Sequence, residues 1–180
     1  MTRSVAFIRG INVGGRIVKK ETLQEAFVSL GFSNVSTYKQ SGNVIFEAET
    51  DAEEAKAKIS EKLRLVLGYD VGVFIRSLKQ LNAILDLDPF KGQQKEDASF
   101  LVTLLYQQPP TAFTSQLPLT IPKSTAQVIL ARGTEVYSVT HGGGEGALPN
   151  PFVESKLKVK ATTRNINIIR EIVEKFGGGA

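Results

Sequence analysis

Arg9-Gly-Ile-Asn-Val-Gly-Gly-Arg16 sets three glycines and an asparagine between two arginines. A glycine-rich turn between a strand and a helix can aim several backbone N–H groups at one point, and the helix N-terminus adds partial positive charge. Arg9 and Arg16 can supply bidentate contacts to phosphate or carboxylate oxygens. The spacing fits neither of the named phosphate motifs. A Walker A loop needs Lys and then Ser or Thr after its second glycine, where this chain has Arg16 and Ile17. The dinucleotide fingerprint has glycines at its first, third and sixth places, whereas Gly10, Gly14 and Gly15 fall at the first, fifth and sixth. Two readings follow. In one, Arg9, Gly10, Asn12, Gly14, Gly15 and Arg16 form an anion site; in the other, the glycines only permit positive φ and Arg9 pairs with an internal acid.

Tyr38-Lys-Gln-Ser-Gly-Asn43 is a second candidate. Ser41, Gly42 and Asn43 are explained by hairpin geometry alone, because they tolerate tight turns and satisfy their own backbone. Gln40, Ser41 and Asn43 also reach a ligand if that turn faces one. Thr162-Thr-Arg-Asn165 is a third. Read as the opening of the last helix, its threonines are caps for free N–H groups, but Arg164 there opposes the helix dipole. A bound anion or a nearby carboxylate removes that conflict, which makes Lys156, Thr163, Arg164 and Asn165 ligand candidates.

Charge distribution points the same way. The net charge is +4. Residues 9–20 carry Arg9, Arg16, Lys19 and Lys20 without an acid, and residues 154–170 carry Lys156, Lys158, Lys160, Arg164 and Arg170 against Glu154. Each segment is therefore +4, and the rest of the chain sums to −4. If folding joins the two segments they make an anion-attracting patch; otherwise they are two solvated basic stretches.

Several classes are excluded. The absence of cysteine rules out disulfides, thiolate metal sites and thiol nucleophiles. His141 is the sole histidine, so a His-rich metal centre is impossible, and no G-x-S-x-G elbow accompanies it. No metal and no cofactor are expected. The apolar run after Thr2-Arg3-Ser4 is too short for a secretory signal, and no later run approaches spanning length. A soluble, cytoplasmic protein without a membrane partner is the expectation. At 180 residues and 42% apolar composition, the chain can remove about 70% of its unfolded surface from water without staples.

Ser4–Ile8 reads as a buried strand. Leu23, Ala26, Phe27 and Leu30 lie on one face of a helix over Glu21–Leu30, with Gly31 as its left-handed stop. Val35–Lys39 and Val44–Ala48 form a hairpin. Thr50-x-x-Glu53 reads as a capping box opening a helix whose stripe is Ala55, Ile59, Leu63, Val66 and Leu67. Val71–Arg76 is the closing strand. This strand-helix-strand-strand-helix-strand order is that of the ferredoxin-like split βαβ arrangement. A helix over Leu78–Leu87, a polar stretch Lys91–Asp97, a strand Phe100–Tyr106, a short helix Pro110–Leu117 and a hairpin of Ala126–Ala131 with Glu135–Thr140 follow, and helical sequence then runs to the end. The last helix is expected to bury Ile166, Ile169, Val173 and Phe176. The fold class is thus α+β, with a ferredoxin-like domain over 1–78 and a second α/β-plait-like domain over 79–180 that ends in a helix, each an antiparallel sheet with helices on one face.

RNA-recognition modules share this order and stack bases on strand aromatics. Phe7 and Phe46 are the candidates for that role, although the usual glycine and aromatic signature is missing.

Together, Arg9–Gly15, Tyr38 with Gln40–Asn43, Ser155–Leu157 and Ala161–Asn165 resemble the bacterial family called domain of unknown function 1697. The resemblance implies an α/β-plait architecture with two ferredoxin-like parts, and implies no activity. This chain departs from the family pattern in having Ile166 where a tryptophan commonly follows Arg-Asn. The leading expectation is binding of a phosphate-bearing small molecule at a basic cleft. Phosphotransfer or hydrolysis at the same residues, and binding of RNA or single-stranded nucleic acid on the sheet face, are the alternatives.

Overall fold

The computed structural model describes residues 1–39, 42–142 and 149–178. The chain divides into two compact units, Met1–Asn82 and Ala83–Ala180. Among the described residues no helix is long and apolar enough to cross a membrane.

The first unit runs β1 (Thr2–Arg9), α1 (Lys20–Val28), β2 (Ser33–Tyr38), β3 (Asn43–Ala48), α2 (Ala52–Leu67) and β4 (Gly72–Ser77). Its strands form an antiparallel sheet in the order β2-β3-β1-β4. Side chains alternate across a strand, so Ala6, Ile8, Val44, Phe46, Val73 and Ile75 share one face. They join Leu23, Ala26 and Phe27 of α1 and Ala55, Ile59 and Leu63 of α2 in one core. Phe27 meets Phe46 and Phe32 edge-on at centroid distances of 5.4 and 6.1 Å.

Helix ends refine the sequence reading. The cap of α2 is Asp51, whose carboxylate accepts from the Glu54 N–H at 2.9 Å, one residue later than the Thr50 box. The Thr50 hydroxyl is buried without a hydrogen-bond partner. The α2 stripe is Ala55, Ile59 and Leu63, while Val66 is exposed. Gly31 and Gly68 take φ of 81° and 79° just beyond α1 and α2, where a side chain would clash with the following carbonyl.

Phe7 and Phe46 form no stacking platform. Register places Ser4 opposite Phe46 and Asn43 opposite Phe7, which puts the two rings on opposite faces of the sheet, and both are fully buried.

In the sequence α3 (Leu78–Asp86) follows β4, and the division of the units falls inside it. The second unit continues with β5 (Ala98–Leu105), α4 (Thr111–Thr114), β6 (Leu119–Thr120), β7 (Gln127–Arg132), β8 (Glu135–His141), α5 (Asn150–Leu157), β9 (Ala161–Asn165) and α6 (Ile166–Phe176). The antiparallel order is β6-β7-β8-β5-β9. Leu105, Val128, Val136 and Ala161 pack with Phe113 of α4 and Val153 of α5. The β7–β8 turn falls at Gly133, as expected, with φ of 59°. His141 ends β8 opposite Ala98, and its neighbours Gly143 and Gly144 lie outside the described residues.

Two strands here were not foreseen. The two-residue β6 is too short for any periodicity to reveal. The other, β9, replaces the expected helix opening: Thr162 and Thr163 are β-branched and pair with Leu104 and Thr103. The cap of α6 is Asn165, whose side chain accepts from the Asn167 N–H at 2.9 Å. Within α6 the buried residues are Ile166, Ile169 and Ile172, whereas Val173 and Phe176 are only half-buried.

Candidate functional site

After β1 the backbone takes left-handed φ at Gly10 (88°), Asn12 (57°), Gly14 (61°) and Gly15 (78°). Four such residues within six fold the chain tightly back on itself. The Asn12 side-chain oxygen holds the far end of the loop by accepting from the Val18 N–H at 2.8 Å. A Cβ added at Gly10, Gly14 or Gly15 would meet nothing within 4 Å, so these glycines serve backbone conformation and the space beside them is open.

Gly42 is different. Its carbonyl accepts from the Ile8 N–H at 2.7 Å, and a Cβ there would lie 2.6 Å from Ile11 Cδ1 and 3.0 Å from the Ile8 carbonyl oxygen. This close approach joins the glycine loop to the hairpin turn, two segments that the sequence offered as separate candidates.

Their meeting forms a solvent-open cavity of about 630 Å³. The loop contributes Asn12, Ile17, Val18 and Lys19; α1 contributes Lys20, Glu21 and Leu23; the hairpin contributes Thr37, Lys39, Gly42 and Asn43. Three lysines against Glu21 give this lining a net charge of +2. The N-cap of α1 is Lys19, which is extended and makes no side-chain cap. First-turn N–H groups that most helices satisfy with Ser, Thr, Asp or Asn thus begin at the cavity, and the positive end of the helix dipole carries two lysines besides.

The arginines read from the sequence are placed elsewhere. Neither Arg9 nor Arg16 is among the described residues lining the cavity. Arg9 ends β1 opposite Gly72, on the face of Val5 and Phe7. Arg16 stacks on Tyr69, its guanidinium carbon 4.3 Å from the ring centroid. Asn43 is 1% exposed and donates from its side-chain nitrogen to the Tyr38 carbonyl at 3.0 Å. Gln40 and Ser41 lie outside the described residues.

The second-unit candidates separate. Register sets Val102 opposite Arg164 and Thr103 opposite Thr163, so Arg164 and Thr163 point to opposite faces. Through Val153, α5 packs beside Ala161 on the Thr163 face, and this helix carries Lys156, 5.7 Å from the Phe152 ring. Lys156 and Arg164 therefore do not gather on one face. Arg164 Nη1 donates to the Thr162 hydroxyl at 2.8 Å and the Thr163 carbonyl at 2.9 Å, and burial lowers its pKa to about 10, which leaves it a cation at neutral pH. Since Arg164 precedes the cap of α6, the dipole conflict inferred for it does not arise in that form.

Thr163 has a structural role. Its hydroxyl bonds Thr103 at 2.8 Å and also Asn150, whose side-chain nitrogen donates to the Ala161 carbonyl at 3.1 Å. This chain ties α5 to β9 and β5. Thr163→Val keeps the shape and removes the hydroxyl, and is expected to cost about 1–3 kcal/mol because the partners are left unsatisfied. The midpoint of urea denaturation measures it.

Lys20, Lys39, Thr37 and Leu23 were not read as site residues. One signal for Lys20 was present in the sequence: with Lys19 it closes the acid-free basic segment 9–20, just ahead of the Leu23–Ala26–Phe27 stripe. Lys39 becomes a lining residue only through the fold of the hairpin.

Comparison with known proteins agrees with this architecture. The family described as "Protein of unknown function (DUF1697)" matches residues 1–137, and the chain belongs to it. That span contains the glycine loop, the hairpin and the whole cavity lining, and stops short of Ser155–Leu157 and Ala161–Asn165. Among solved structures, the conserved bacterial protein SP0830 from Streptococcus pneumoniae is similar, with a TM-score of 0.70 at 20% identity, covering 98% of this chain and 99% of that one. At that identity the likeness is one of fold. No curated protein matches the chain.

Proposed function

We propose that this protein binds a phosphate-bearing or otherwise anionic small molecule in the cavity between the glycine loop and the β2–β3 hairpin. The observation that carries this reading is the uncapped N-terminus of α1 opening on that cavity with Lys19 and Lys20. Lysines there oppose the dipole, offset in part by Glu21 3.9 Å from Lys20, and an anion seated among them relieves the remaining repulsion and accepts from the first-turn N–H groups. The strand orders β2-β3-β1-β4 and β7-β8-β5-β9 also support reading each unit as ferredoxin-like. In such a plait the loop after the first strand lies beside the hairpin turn, as the cavity requires.

The test is titration with inorganic phosphate at constant ionic strength, followed by the amide resonances of residues 10–23. Saturable shifts are expected in the wild type, and a loss of at least tenfold in affinity in the Lys19→Gln/Lys20→Gln double variant, about 1.4 kcal/mol or more. Shifts that persist unchanged in that variant, or a wild type that does not respond, overturn the proposal.

A further inference from the structure

Ile17 leaves 86% of its surface in water on the wall of this same cavity, beside half-buried Val18 and the core residue Leu23. A site for a bare inorganic anion has no use for that aliphatic wall, and 630 Å³ is in the range of pockets that hold whole organic ligands. Two of the lining amides are already committed. The oxygen of Asn12 holds the Val18 N–H and the nitrogen of Asn43 holds the Tyr38 carbonyl, so both act on the loop and the hairpin themselves. On the side of Ile17, Val18 and Leu23 the side chains offer no hydrogen bond, so a body resting there gains by being apolar.

Building on the anion reading above, we infer that the ligand is an amphiphilic organic anion: a phosphate monoester with a compact apolar body. The phosphate lies at Lys19, Lys20 and the start of α1, and the body lies against Ile17, Val18 and Leu23. Ile17 is then a specificity residue, 86% exposed here and covered in the complex.

Calorimetric titration with four probes separates the parts of this statement: phenyl phosphate, glycerol phosphate, inorganic phosphate and phenol. Phenyl phosphate is expected to bind about tenfold or more tightly than the two polar phosphates, as burial of a side chain of this size allows. Ile17→Ser, at an exposed position that leaves the core intact, is expected to remove that advantage, read as the ratio of the phenyl phosphate to the inorganic phosphate affinity. Equal binding of the three phosphates, or an unchanged preference in Ile17→Ser, overturns the apolar-body inference and leaves the anion reading standing. Phenol binding as tightly as phenyl phosphate overturns the anion reading, and with it the class of ligand named here. Binding by none of the four overturns both.

Discussion

Phe27→Ala is expected to destabilise the first unit by about 3–5 kcal/mol, the range for removing a fully buried aromatic ring. Phe27 is fully buried and contacts both Phe32 and Phe46, so the void would open among rings that cannot all move inward. Against a total stability of about 5–15 kcal/mol for a domain, this removes a large fraction. Urea denaturation read on first-unit amides measures it as a lower midpoint with an unchanged slope. The same substitution should weaken anion binding, because Phe27 and Leu23 anchor the helix whose N-terminus forms the cavity wall. A loss below about 1 kcal/mol would mean that α1 is not fixed through this ring.

Gly42→Ala comes next, at about 3 kcal/mol. The left-handed φ of 71° accounts for roughly 1–2 kcal/mol. The rest comes from the new methyl group, which would stand 2.6 Å from Ile11 Cδ1 and 3.0 Å from the Ile8 carbonyl oxygen, an overpacked contact costing about 1–3 kcal/mol. Ile11 can rotate, but the carbonyl is fixed in β1. Gly14→Ala is the internal control: its φ of 61° is also left-handed but its surroundings are open, so only the conformational part, about 1–2 kcal/mol, is expected. Equal losses in the two variants would show that the close approach of Gly42 to Ile8 and Ile11 adds no steric cost. Both are read as differences in urea midpoint.

Much of the first unit is legible in its sequence because its elements bury strong periodic faces. The Leu23–Ala26–Phe27 and Ala55–Ile59–Leu63 stripes and the apolar runs of β1, β3 and β4 each specify one element type, and the two turns fall at Gly31 and at the hairpin glycine. The second unit is harder to read. Thr162-Thr-Arg-Asn165 has no apolar code of its own, and its strand state comes from pairing with β5, a long-range partner that a local window does not contain. Val173 and Phe176 mislead for a related reason: a 3,4,3 spacing fits, but the sheet receives the face bearing Ile172.

The candidate site divides in the same way. The glycine loop and the hairpin are visible as special backbone, and their juncture at Gly42 is not, since it depends on Ile8 and Ile11, 34 and 31 positions away in the chain. Charge counting found the basic segment but favoured its arginines. Arg16 stacks on the Tyr69 ring, while lysines at a helix start, usually passed over as solvated, line the cavity.

Strand β9 ends at Asn165 and helix α6 begins at Ile166, with no residue between them. An edge strand as polar as this one carries little apolar code for its register, and here each step of sliding would break the Thr163 bonds to Thr103 and Asn150 and turn the helix sequence by about 100°. Ile166, Ile169 and Ile172 would rotate off the surface they cover. The helix thus acts as a vernier of the strand, reinforcing the alignment that the Thr163 hydroxyl sets.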